Sequence, residues 1–462
     1  MPEPSWIRVR GDRLVDESGT TVVLAGYGLG GWMNMENFIT GYPSTESLQR
    51  KALRNALGEE GYRRFFEAFL DDFFGPDDAA YLASLGLNAL RVPLNYRHFE
   101  SDDAPFEIIE AGFAPLDRLI DRCAAHGIYT ILDLHALPGS QNQHWHSDNP
   151  THWAHFWTHR HFQDRVVHLW EAIATRYAGR PEVAGYNLVN EPADATGAVI
   201  GPFYQRLERA IRAIDPKHVL FLDGNRYATD FSVFDDPFEN TVYSAHDYAL
   251  PGIAHGATYP GTVRGQHFVR ATIEQTFLHR TEFMRSTGTP IWIGEFGPVY
   301  TGDADIDAMR YRLLRDQLEI YAEHGASWSL WTYKDIGLQG LVYTAPDCGY
   351  LQRIAPVLAK KARLGADSWG ADDSNVRYLL DPIDKLFDEE FPNFDPFPWG
   401  RKSWVATLVR NILFAEPLVG EFGRCFTGVT PEEAERLAAD FAFANCVPRT
   451  GLAEILKEHR GG

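Results

Sequence analysis

The chain has 462 residues, 45% of them hydrophobic and 23% charged, with 43 Lys and Arg against 63 Asp and Glu for a formal net charge of -20. This is an ordinary globular composition, which excludes a disordered or fibrous chain, and so acidic a surface repels phosphate backbones and anionic membranes, which argues against nucleic acid as a partner. The four cysteines, Cys123, Cys348, Cys425 and Cys446, show no CxxC or Cys/His metal spacing.

The opening MPEPSWIRVRGDRLVDESG has no apolar h-region, and no later run of 18 apolar residues exists. The expectation is therefore a cytoplasmic chain with no membrane span. IRVRGDRLVDESGTTVVL reads as a β-hairpin able to plug the bottom of a barrel. Eight short β-rich runs follow, at 22–26, 89–94, 129–135, 183–191, 218–224, 241–248, 290–296 and 327–333. Most are continuously apolar rather than alternating, as in parallel strands buried on both faces. Helical stretches lie between them. In 115–127, Leu116, Leu119, Ile120 and Cys123 form one stripe and Gly127 closes it. Strand and helix alternating eight times predict a (β/α)8 TIM barrel.

Three segments lengthen this barrel: a helical insert at 42–76, a His- and Trp-rich loop at 136–162 and a Gly/His/Pro-rich loop at 249–270. All follow strand C-termini, the face where barrels carry their sites. After residue 355 the repeat stops. Residues 1–355 are assigned to the catalytic barrel with its hairpin, and 356–462 to a C-terminal helical extension packed on the barrel. Within it, Thr430-Pro431-Glu432-Glu433 is a helix start: a Thr cap, Pro at the first position and Glu at the third.

The candidate chemistry sits at the strand ends. Strand 2 holds Arg91, strand 3 ends on His135 and strand 4 on Asn190-Glu191. Strand 6 carries His246 and Tyr248, strand 7 Glu295 and strand 8 Trp331. Polar groups in apolar strands are costly unless they face a functional cavity. Glutamates on strands 4 and 7 oppose each other across a barrel mouth, and glycoside hydrolysis needs such a carboxyl pair. A lone strand-end Glu is more often a salt bridge than a catalyst; the full set reverses those odds.

This set, in this order, resembles glycoside hydrolase family 5 of clan A over residues 20–335. The resemblance implies a retaining β-glycoside hydrolase, with Glu191 as acid/base and Glu295 as nucleophile. Arg91 and Tyr248 would hold the nucleophile's charge and His246 would tune Glu191. Asn190 would meet the sugar 2-OH, His135 other hydroxyls, and Trp331 would floor the −1 subsite. Gly30-Gly31-Trp32 followed by Glu36, and the loop Leu134–Asn142, resemble the fungal exo-β-1,3-glucanases of that family, which makes Glu36 a −1 ligand and Asn34 a further candidate. The sequence departs from that group after Asn142, at Gln-His-Trp-His-Ser-Asp. Trp145 in this stretch is a candidate subsite wall. The expected substrate is a β-glucoside or short β-gluco-oligosaccharide attacked from its end. The sequence leaves open an endo-β-glucanase or β-mannanase, a β-mannosidase, a transglycosidase and, last, a non-catalytic sugar-binding barrel. No cofactor is expected. His144, His146, His152, His155, His159 and His161 lack an acidic or Cys complement at metal spacing, so no metal is expected either. Gly28-Leu29-Gly30-Gly31 is not a dinucleotide fingerprint.

Overall fold

The computed structural model describes residues 4–366, 369 and 372–459. Eight parallel strands close into a barrel in sequential order: β1 Ala25–Gly28, β2 Ala89–Asn95, β3 Tyr129–Ala136, β4 Val183–Asn187, β5 Val219–Asp223, β6 Thr241–His246, β7 Ile291–Glu295 and β8 Ser327–Leu330. Trp328 on β8 stands beside Ala25 on β1 and closes the ring. The apolar runs form these strands because both faces are buried. One face meets the helices and the other fills the barrel interior. Ala89, Ile131, Ala184, Val219, Phe221, Val242 and Trp292 form that inner core.

The hairpin Ile7–Arg10/Arg13–Asp16 caps the bottom. Its Ile7 and Leu14 join the same inner cluster. Polar bonds fix its seat: Tyr129 Oη donates to the Ser5 carbonyl at 2.9 Å, and Val9 N–H donates to Asn240 Oδ1 at 2.9 Å. The bottom is thus sealed, and the opposite face is free for chemistry.

The expected insert after strand 1 is a long helix, α1 (Glu46–Asp72), broken at Gly58, whose φ of 69° and ψ of 174° interrupt the helix. Its Phe65 and Phe69 pack on rings of the C-terminal extension, Phe426 and Phe441. A helix, α2 (Gly349–Leu364), runs across the expected boundary at 355, and the extension contributes α3 (Ala415–Arg424) and α4 (Pro431–Ala438). Thr430 caps α4 as its sequence implies, its Oγ1 accepting from Glu433 N–H at 3.2 Å. Arg64 of α1 bonds both Glu432 and Glu435 of α4. Near the C-terminus, Cys446–Pro448 pairs antiparallel with Val342–Thr344, which follows β8. Strands of three residues are too short to show a period in sequence.

Two glycines set the barrel mouth. A Cβ at Gly30 would stand 2.4 Å from Trp331 Cζ2, and one at Gly28 2.5 Å from Trp331 Cε3. Bare backbone therefore paves the rear of the indole. Gly30→Ala is expected to cost about 1–3 kcal/mol through this overlap, read as a lower melting temperature together with a lower kcat/KM. An unchanged melt and unchanged activity would mean that the indole is not pinned there.

Candidate active site

The predicted residues converge on one cavity of about 720 Å3 at the C-terminal face of the barrel, lined by Glu36, His135, Trp145, Glu191, His246, Tyr248, Glu295 and Trp331 among others. Arg91 and Asn190 stand behind it, both fully buried.

Glu295 ends β7. Arg91 Nη1 donates to its Oε1 at 2.6 Å and Tyr248 Oη to its Oε2 at 3.0 Å. The same guanidinium donates through Nη2 to Asn190 Oδ1 at 2.6 Å and through Nε to Asn187 Oδ1 at 2.9 Å, and Asp133 lies 3.1 Å away. Every face of Arg91 is thus occupied, and it presents a fixed charge to Glu295. Burial and Glu191 push the Glu295 carboxyl above its ordinary value, while His246 and Arg91 draw it back.

Glu191 lies beyond the regular part of β4, which ends at Asn187. The sequence extends that strand to 191. Leu188 N–H still bonds the Phe221 carbonyl and Asn190 N–H the Leu134 carbonyl, and the chain then turns, with Glu191 at φ 45°, a left-handed conformation costly for a residue with a Cβ. Asp223 at the end of β5 holds this turn by accepting from Glu191 N–H at 2.9 Å. The carboxyl faces two imidazoles: His246 Nδ1 lies 2.6 Å from Oε1 and His146 Nε2 lies 3.2 Å from Oε2. Burial lifts Glu191 to about 8, reinforced by Asp223 and Glu36 against His135 and Arg91. One oxygen of Glu191 and one of Glu295 approach within 4.8 Å, with a His246 nitrogen in the same group. Those three residues are, among the described residues, a set that could hold a metal. The Arg91 guanidinium at 2.6 Å from Glu295 opposes a dication there.

His135 stacks on Trp331 with centroids 5.5 Å apart and planes at 8°. Its Nδ1 meets Asp133 at 2.7 Å and its Nε2 lies 3.6 Å from Glu36. Burial works against its charged form, but Asp133 and Glu36 outweigh it and raise the ring to about 10. Asn190, expected at a sugar hydroxyl, accepts from Arg91 Nη2 through its Oδ1 and places its Nδ2 3.2 Å from His135 Nε2. Asn34 is also fully buried, donating to the His146 carbonyl at 3.1 Å.

Several residues of the site escape a reading of motifs. Asp133 and Asp223 could have been found, since each is an acid inside an apolar strand. His146 was visible only as one of a histidine cluster. That cluster does not act together: His144 and His146 line the cavity, whereas His155, His159 and His161 are exposed. Tyr227, Trp369 and Trp399 also line the cavity, the last two from the C-terminal extension. Trp399 lies 4.4 Å from Tyr227 and 4.8 Å from His144 between centroids. The extension therefore packs on the flank through α4 and also builds part of the mouth.

The family model Cellulase (glycosyl hydrolase family 5) matches residues 72–337. The chain belongs to glycosyl hydrolase family 5. It is a β-glycoside hydrolase on a (β/α)8 barrel. A Beta-xylosidase of Phanerodontia chrysosporium is 46% identical over 470 residues, 98% of each chain, so the similarity runs through the extension that the family model leaves out. A Probable glucan 1,3-beta-glucosidase A of Aspergillus clavatus is 28% identical over 49% of this chain and 56% of its own. A solved endogalactoceramidase superposes with a TM-score of 0.51 at 18% identity, covering 72% of this chain and 75% of that one, a likeness of fold. Among the described residues no helix of this family 5 protein is long and apolar enough to cross a membrane.

Proposed function

We propose that this protein is an exo-acting, retaining β-glycosidase that removes one sugar from the end of small β-glycosides, a β-xylosyl residue before a β-glucosyl one. The observation that carries the reading is the carboxyl pair. Retaining glycosidases hold their carboxyls about 5–5.5 Å apart, against roughly 6.5–9.5 Å where a water must fit between them. The 4.8 Å approach of Glu191 and Glu295 favours the first class.

The two environments divide the roles. Glu295 receives Arg91 and Tyr248, which stabilise a carboxylate able to attack the anomeric carbon. Glu191 is buried between two imidazoles and is protonated near neutrality, as a general acid must be. Once the glycosyl-enzyme has formed, the ionised Glu191 takes a proton from water and releases the sugar. Glu36, Trp145 and Trp331 bound the cavity around His135, and a carboxylate on the far hydroxyls of the −1 sugar blocks a longer chain. The sugar preference rests on the xylosidase relative, whose similarity covers 98% of this chain. The Glu36 segment and the Aspergillus relative favour a glucosyl unit as the second reading.

A panel of 2-deoxy-2-fluoro β-xylosides and β-glucosides, followed by mass mapping, tests both points. The xyloside is expected to inactivate faster and to label Glu295. Label on another residue would overturn the mechanism. Cleavage of internal polymer bonds without monosaccharide release would overturn the exo reading.

A further inference from the structure

Resting on that assignment of Glu191 as the acid, we propose that the C-terminal extension builds the leaving-group subsite, where Trp399 and Tyr227 form an aromatic wall that selects a leaving group with a flat ring. A cavity of about 720 Å3 is of the size that encloses a drug-sized ligand, and one terminal sugar between Glu36, His135 and Trp331 takes up only its floor. A general acid stands within hydrogen-bond reach of the glycosidic oxygen it protonates, so the leaving group lies on the Glu191 side. Four rings line the cavity there: Tyr227, Trp399, His144 and Trp145. The Tyr227 centroid is 6.1 Å from that of His146, whose Nε2 is 3.2 Å from Glu191 Oε2. Trp399 follows, 4.4 Å from Tyr227 with planes at 31°, and 4.8 Å from His144, which meets Trp145 at 4.4 Å. The indole thus stands two ring contacts out from the acid.

The backbone is bent to put Tyr227 in this wall. Arg226, Tyr227 and Ala228 have φ of 51°, 60° and 57°. Three consecutive left-handed residues with a Cβ persist only where their surroundings enforce them. Gln143 pins the ring from the opposite loop: its Oε1 accepts from Tyr227 Oη at 2.9 Å, and its N–H donates to the same oxygen at 3.1 Å. Asn142 ties that loop to the acid, its Nδ2 donating to the Glu191 carbonyl at 3.0 Å and lying 2.7 Å from His146 Nε2. Trp399 is not what anchors its own segment. Its neighbours do that: Phe397 lies under the Arg226 guanidinium at 5.0 Å, and the Pro398 carbonyl accepts from Arg226 Nη1 at 3.4 Å. The indole itself stays 41% exposed, an apolar ring face that a flat ligand can cover. Trp369 packs instead on Tyr248 and Phe38, at 5.2 and 6.3 Å, beside the nucleophile rather than the acid.

A pyranose and an aryl group share this flat apolar face, and the test has an arm for each. It compares 4-nitrophenyl β-xyloside, β-1,4-xylobiose and β-xylosyl fluoride, whose leaving group has no ring; the glucosyl series replaces them if that is the sugar the protein takes. Trp399→Ala is expected to lower kcat/KM about 10-fold for the first two, the worth of one aromatic contact with its buried area, and to change that of the fluoride less than about twofold. Trp399→Phe keeps a flat face and is expected to recover most of the loss. A loss on the aryl glycoside alone assigns the wall to aryl leaving groups, and a loss on the disaccharide alone assigns it to a second sugar; either supports the subsite. An equal loss on all three substrates, or no loss on either ring-bearing one, overturns it. If Trp399→Ala melts early, Trp399→Leu carries the same comparison with apolar bulk but no ring. The parent protein separates the two levels: failure to release a monosaccharide from any of these substrates sinks the exo-glycosidase reading itself. Release by the parent with an equal loss in the variant sinks only the role of Trp399.

Discussion

Glu295→Gln is expected to lower kcat/KM on the order of 10^4- to 10^6-fold for every glycoside, whatever its leaving group, as removal of a covalent nucleophile does elsewhere. No other carboxylate can substitute. Glu191 is held by His246 and His146, Asp133 by Arg91 and His135, and Asp223 by the backbone of Glu191. The loss should be independent of the leaving group, since the attacking bond itself is gone. The fold should survive. Arg91 keeps Asp133 at 3.1 Å and the two asparagine oxygens, so its charge is not abandoned. Glu36, Asp133, Glu191, Asp223 and Glu295 are all buried around one mouth, and removing one of these charges eases their mutual repulsion. A melting temperature equal to or above the parent's is therefore expected alongside the dead enzyme, the pattern of a site that trades stability for function. A variant that turned over substrate like the parent would falsify the nucleophile assignment.

The barrel was legible because parallel strands buried on both faces are apolar at every position, and eight such runs in one chain have few other uses. Their ends were not. Strand 1 is expected at 22–26 and pairs at Ala25–Gly28; strand 4 is expected to reach 191 and pairs only to Asn187. Leu188 and Val189 remain buried beyond the regular strand, their carbonyls taken by Trp170 Nε1 and Tyr204 Oη. Hydropathy records burial, not ladder bonds, so it runs straight through the turn that aims Glu191. The glutamates and their aromatic and basic company could be read from residue type and order. Supports such as Asn142 could not, because an asparagine in a polar loop looks the same whether or not it fixes an imidazole. Trp399 sits in an irregular segment without period, and the apolar helices of the extension look alike in sequence whether they lie on a flank or reach a cleft.

Glu191→Ala should separate the two chemical steps. With an alkyl leaving group the departing oxygen needs a proton, and a loss of about 10^2- to 10^4-fold in kcat/KM is expected. A 2,4-dinitrophenyl glycoside departs as a stable anion, so bond cleavage should run near the parent rate. Hydrolysis of the glycosyl-enzyme still lacks its base, and the intermediate should accumulate, visible as a burst of phenolate followed by slow turnover and a lowered KM. Azide needs no base and fits the space left by the side chain, so it should restore turnover and yield the β-glycosyl azide with configuration retained. The pH profile follows from the same carboxyl. In the parent, burial raises Glu191 to about 8. The acid form is therefore filled below that pH, and kcat/KM falls as pH rises through it. The variant should lose this alkaline limb. The acidic limb should remain, because it reports ionisation of Glu295, which burial pushes above the ordinary carboxyl value and which must lose its proton before it can attack. An α-configured azide product would require water or azide to enter from the opposite face. The approach of the two carboxyls within 4.8 Å disfavours that path, so such a product would overturn the proposed retaining mechanism.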